Sequence, residues 1–203
     1  MACTRAIVGA PKQNQLMSAH TETWPKPHRL TVDDYYRMAE VGVLSPDDRT
    51  ELIEGEIIDM APIGSVHAEV LRLLTKRLIE TVRNAAHVSV QLPVRLSQRS
   101  EPQPDIVVLE ARSDDYRRAH PSADDVLLLI EVSDTTVRYD LNVKARLYAT
   151  HGVREYWVVD LVAKRVWRHR KPRGTQYAER TEVAAGALEL PEDLGEIDIA
   201  EIL

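Results

Sequence analysis

The sequence predicts an α/β fold, a mixed central β-sheet flanked by helices, and three observations predict it. Two unbroken apolar runs, "DIVVLE" from Asp105 and "DVLLLIEVSD" from Asp125, read as strands buried on both faces. One stretch from Ser65 to about Arg83 repeats apolar residues at the three-to-four spacing of an amphipathic helix. The elements run helix, strand, strand, strand, helix, strand, which departs from a strict βαβ alternation.

Residues 1 to about 28 mix polar residues with Pro11, Pro25 and Pro27 and show no period. They read as a flexible N-terminal extension, leaving 29–203 as a single domain. The leader lacks the apolar core of a signal peptide, about 7–15 residues long. No apolar run approaches the roughly 20 residues needed to cross a bilayer. The lone Cys3 excludes a disulfide framework or a thiolate metal cluster. A soluble cytoplasmic protein without a membrane partner is expected.

"LTVDDYYRMAEVGVL" predicts a short helix. Thr31 caps it, Asp33 and Asp34 suit its positive end, and Gly42 stops it. "TELIEGEIIDM" carries β-branched and apolar residues on both sides of Glu54-Gly55, a hairpin pattern. In the long helix the apolar stripe is Val66, Val70, Leu73, Leu74, Leu78 and Val82, interrupted by Arg77. "HVSVQLPVRLS" alternates as a strand, and Pro93 suggests an edge position or a bulge. A helix from about Val137 to Thr150 follows the central strand and closes at Gly152. "EYWVVDL" is the next strand, with "KRVWRHR" and "TQYAER" able to pair beyond it.

The net charge of −6 argues against a protein that coats nucleic acid. It leaves room for an enzyme acting on a phosphodiester, because metal-holding carboxylates add to the negative count. Two local basic stretches, Arg117 to His120 and Lys164 to Arg173, can guide a polyanion or simply guard a solvated strand edge.

Asp105 follows Pro104 at the mouth of its strand, and Glu131 directly follows Ile130 near the end of the next. A carboxylate buried there costs several kcal/mol unless paired or metal-bound. Two on neighbouring strands begin an oxygen-rich site for a hard cation such as Mg²⁺. In the following helix Val137, Leu141, Lys144 and Tyr148 share one face. Lysine in that stripe has three explanations: a pair with Asp140, snorkelling past Tyr148, or an ammonium aimed at the two carboxylates. An ammonium held in an apolar face is costly, so Lys144→Met is expected to be at least as stable as the wild type.

"PD" at Pro104-Asp105, "EVS" at Glu131 to Ser133 and "YDLNVKARLYATHGVREYWVVD" together resemble the Uma-two family. These are restriction-endonuclease-like proteins of the PD-(D/E)XK superfamily. "ELIEGEIIDM" with His67 downstream also matches, and the resemblance covers roughly Leu30 to Leu203. It implies a restriction-endonuclease-like core and divalent-metal-dependent phosphodiester hydrolysis, with Asp105 and Glu131 as ligands of Mg²⁺ or Mn²⁺. Where the wider superfamily carries lysine two residues after the glutamate, this chain has Ser133. The family takes that lysine from the following helix, which corresponds to Lys144.

The expected catalytic set is therefore Asp105, Glu131 and Lys144, with a backbone carbonyl near Val132 and a further acid, Glu54 or Glu51, completing the metal shell. His67 can reach substrate phosphate or serve as a cap. Gln103 can bond near the metal. Tyr148 reads as packing and Asp160 as a turn residue. DNA is the expected substrate, and a homodimer would suit cutting of a duplex. A nuclease fold that binds without cutting, and a hydrolase of a small phosphodiester, are the alternatives.

Overall fold

The computed structural model describes residues 25–45 and 47–203. Most of the expected N-terminal extension lies outside the described residues. Residues 25–28 are exposed and have no regular structure.

Helix α1 (Val32–Glu40) begins at the expected cap. The Thr31 hydroxyl accepts from the Asp34 amide at 3.1 Å, and the Asp34 carboxylate accepts from the Thr31 amide at 2.9 Å. The Tyr35 hydroxyl donates to the Thr50 carbonyl at 3.0 Å, tying α1 to the hairpin β1 (Thr50–Ile53) and β2 (Glu56–Asp59). The two-residue turn has φ of 49° at Glu54 and 80° at Gly55, the positive values a type I′ hairpin requires. All four β1 residues are buried, whereas β2 faces outward.

Helix α2 (Ser65–Val82) buries Val70, Leu71, Leu74, Leu78 and Val82. The stripe is thus rotated from the one read in sequence. Leu71 enters the core, while Leu73 and Val66 are exposed, because the sheet and the C-terminal strands meet the Leu71 side. Strand β3 (Ala86–Val90) is an edge strand as expected, but it ends before Pro93 because Gln91 turns to a φ of 51°.

The sheet runs β3, β4 (Ile106–Glu110), β5 (Val126–Ser133), β6 (Glu155–Asp160), β7 (Arg165–Arg173), β8 (Gln176–Val183). Only β5 and β6 are parallel, so the sheet is mixed. Parallel neighbours need a crossover. It is α3 (Val137–Tyr139), a π-helical turn (Asp140–Lys144) and α4 (Ala145–Thr150), where a single α-helix was expected. Strands β9 (Ala187–Glu189) and β10 (Glu196–Asp198) form a small separate pair.

Each sheet face has its own core. Ile130 and Val132 of β5 pack with α2, β9 and β10, whereas Leu129 packs with Leu147 and Tyr148 of α4. The period of two therefore turns Glu131 toward α4. Among the described residues no helix is long and apolar enough to cross a membrane.

Candidate active site

Ile106 pairs with Ile130 across the antiparallel β4–β5 ladder. The residue before β4, Asp105, therefore comes beside the residue after Ile130, Glu131. Pairing alone juxtaposes the two carboxylates, which are 7% and 5% exposed.

Asp105 is held from three sides. Its Oδ2 accepts from the Val132 amide at 2.9 Å, and its Oδ1 lies 3.1 Å from both His67 Nε2 and Gln91 Nε2. Burial alone would raise its pKa, but the bonds from His67, Val132 and Gln91 outweigh burial and hold it below the ordinary carboxylate value.

Glu131 is the opposite case. Its Oε1 accepts from Lys144 Nζ at 2.9 Å and from the Tyr148 hydroxyl at 2.8 Å. Burial pushes its carboxyl upward; Lys144 opposes this, while Asp105, Asp140 and Glu51 add to it. Lys144 Nζ also lies 3.0 Å from Glu51 Oε1. Burial works against its charge, but Glu131 and Glu51 prevail and keep it an ammonium. Of the three sequence explanations for Lys144, the ammonium aimed at the two carboxylates holds for Glu131 alone; its second partner is Glu51, not Asp105.

The Glu51 carboxylate accepts from the Gln103 amide at 3.1 Å. Asp140, at the start of the π turn, accepts from the Ser133 hydroxyl and the Thr136 hydroxyl, each at 2.7 Å. Ser133 thus tethers the helical segment that delivers Lys144.

Glu51, His67, Asp105, Glu131, Asp140 and Lys144 line one open cavity of about 490 Å³. Glu54 does not join them. It is exposed and pairs with Arg146 at 3.2 Å, because the hairpin turn points it outward. Gln103 contributes through its backbone, and its side chain bonds the Thr50 carbonyl at 3.4 Å. Tyr148, expected only to pack, touches Glu131. Asp160 closes a turn, accepting from the Val162 and Ala163 amides. Sequence reading missed Gln91, which nothing in the pattern marks, and the tether at Asp140, whose signal was the hydroxyl-rich "SDTT" before it.

The basic run on β7 is largely neutralised. Arg165 pairs with Glu182, Arg168 with Glu155, and Arg170 and Lys171 with Glu179.

The donor set suits a hard divalent ion. Four buried carboxylates, Glu51, Asp105, Glu131 and Asp140, share the cavity with one buried ammonium. Among the described residues no group of three or more acidic, histidine or cysteine side chains is arranged to hold a metal ion by itself. Mg²⁺ commonly takes one or two carboxylates and fills its remaining positions with water and substrate phosphate. Asp105 and Glu131, side by side at the cavity wall, fit that pattern.

A crystal structure described as "a putative nuclease belonging to DUF820 from Anabaena variabilis ATCC 29413" superimposes with a TM-score of 0.67. It is 16% identical and aligns over 85% of this chain and 97% of its own, so the two share a fold. No curated protein matches the sequence. The family model Uma2, described as "Putative restriction endonuclease", matches residues 32–200. That match spans nearly all of the folded domain, and the chain belongs to the Uma2 family.

Proposed function

We propose that the protein is a Mg²⁺- or Mn²⁺-dependent endonuclease that hydrolyses phosphodiester bonds of DNA. The observation that carries this reading is the Lys144 ammonium 2.9 Å from Glu131, with Asp105 alongside, in one open cavity. The family description points the same way.

Asp105 and Glu131 are the residues that would hold the ion. When bound, it polarises the phosphate and lowers the pKa of a coordinated water. Lys144 supplies fixed positive charge beside the phosphoryl oxygens. Glu51 and Glu131 fix its position, and Tyr148 fixes Glu131. His67 and Gln91 orient Asp105. His67, at the cavity wall, is also within the site's reach of a phosphate oxygen.

Plasmid nicking and single-strand cleavage with Mn²⁺ test the proposal. Wild type should cut and EDTA should stop it. Glu131→Gln, which preserves shape, should lower the rate by about 10²–10³, the loss typical of one preorganised polar group. Calorimetry should show Mn²⁺ binding that Asp105→Ala abolishes while the variant stays folded. Rigorously purified wild type that cuts neither DNA nor RNA would sink the proposal.

The neutralised basic run on β7 favours a second reading, hydrolysis of a small phosphodiester. Faster turnover of a dinucleotide than of plasmid or oligonucleotide, at equal phosphodiester concentration, would select it.

A further inference from the structure

The crossover helix separates two cavities of opposite character. Tyr139, Asp140 and Lys144 face the acidic cavity of the candidate active site. Leu141, Asn142, Ala145 and Arg146 face a second cavity of about 350 Å³, closed on the far side by β7 and β8. That volume lies within the roughly 300–1,000 Å³ of small-ligand sites.

The second cavity has no carboxylate in its lining, in a chain of net charge −6. Its polar lining is Asn142, Arg146, His169, Thr175, Gln176 and Arg180, with the Tyr177 ring beside them. Arg146 makes its ion pair with Glu54, which does not line the cavity. The Arg180 guanidinium stacks 4.3 Å from the Trp167 ring centroid, an arrangement that leaves its edge N–H donors directed away from the ring. His169 is only 4% exposed, and its Nδ1 has no hydrogen-bond partner among the described residues.

We propose that this cavity is a second binding site, taking the phosphate group of a nucleotide between Arg146 and Arg180, with Tyr177, backed by His169, against the attached nucleoside. Two planar guanidinium groups supply the bidentate donors that phosphate oxygens accept. The Tyr177 ring, backed by His169 at 5.6 Å between centroids, presents aromatic surface to a base. The phosphate can come from a nucleic acid strand or from a free mononucleotide. The site stands independently of the metal chemistry on the other side of the helix, and its test needs no turnover.

The test is calorimetry in EDTA, where the metal-free acidic cavity repels phosphate. The probes are inorganic phosphate, thymidine 5′-monophosphate and a short oligothymidylate. Wild type should bind the mononucleotide saturably and more tightly than inorganic phosphate. Arg180→Ala and Arg146→Ala, both at exposed positions, should each weaken binding at least tenfold with unchanged melting temperature. The imidazole resonances of His169 should shift on saturation. Tighter binding of the oligothymidylate identifies a strand as the natural source, and equal or weaker binding identifies a free nucleotide. The proposal is overturned if no probe saturates. It is equally overturned if both arginine variants bind like wild type, or if the His169 resonances stay fixed at saturation.

Discussion

The Lys144 ammonium sits 2.9 Å from Glu131 and 3.0 Å from Glu51, and all three side chains are buried. Taken from sequence, a lysine in an apolar stripe was a cost, and its removal a gain. The geometry reverses that sign. Lys144→Met leaves two buried carboxylates facing each other, and breaking a buried pair in this way costs about 3–5 kcal/mol. Chemical denaturation at neutral pH should show a loss of that size. Stability should partly return as pH falls, because protonating Glu131 removes one of the stranded charges. Adding Glu51→Gln to Lys144→Met should also recover part of it. An unchanged midpoint in the single variant would mean the three groups do not form the compact cluster described. Metal affinity should hold or rise in the double variant only if Glu51 is not a ligand.

The hairpin β1–β2 decides which glutamate faces the site. Glu51 and Glu54 are three apart in one acidic, apolar stretch, and their types alone do not separate them. What separates them is that β1 packs inward along its whole length while the turn projects outward. The turn depends on Gly55: a Cβ there would lie 2.9 Å from the Leu30 carbonyl, at a φ of 80°. Gly55→Ala should therefore cost about 1–3 kcal/mol. Cleavage should fall with it, because Glu51 is anchored by the same hairpin; a melt and a nicking assay on one preparation check both.

Strands β4 and β5 were legible because burial on both faces leaves an unbroken apolar run, and with them the Asp105–Glu131 pair. The order of the core elements along the chain was legible from the same apolar patterning. The α2 stripe was legible only to within a rotation, since Leu71 and Leu73 are equally apolar and only the opposing surface chooses between them. The π turn left no such mark. A π turn holds one residue more than regular α-helix would. Deleting the exposed Asn142 should preserve helical circular dichroism yet rotate Lys144 away from Glu131, abolishing cleavage.

Across the whole molecule, buried ionisable groups make stability depend on pH in a direction that can be worked out. Burial lowers the His169 pKa from 6.5 to about 4; Arg180 on β8 adds to this, and the Tyr156 and Trp167 backbone opposes it. Below 6.5 the unfolded chain takes up a proton that the folded chain refuses until about pH 4. Stability should fall as pH drops through that window and level off below it. At about 1.4 kcal/mol per pH unit, the contribution is on the order of 3 kcal/mol. His169→Gln should flatten this part of the wild-type stability curve, as read from urea midpoints at each pH. Tyr156 and Tyr177, the rings packed on His169, remain neutral throughout the window, so the difference reports His169.

Strands β5 and β6 lie side by side and parallel, so they cannot zip together from a turn. Residues 134–154, the crossover included, must emerge and fold before the central pair closes. Loop closure of that kind is slow compared with hairpin formation. Glu51 and Lys144 are farther apart still, 93 positions along the chain. During synthesis the ribosome therefore releases Glu51, Asp105 and, by 13 positions, Glu131 before the ammonium that pairs with Glu51 and Glu131. Until then Asp105 and Glu131, brought side by side by β4–β5 pairing, have no cation to offset their repulsion. A nascent or truncated chain is in that condition a polyanion without a centre, and the proposed hydrolysis would be open only to a molecule whose sheet has closed.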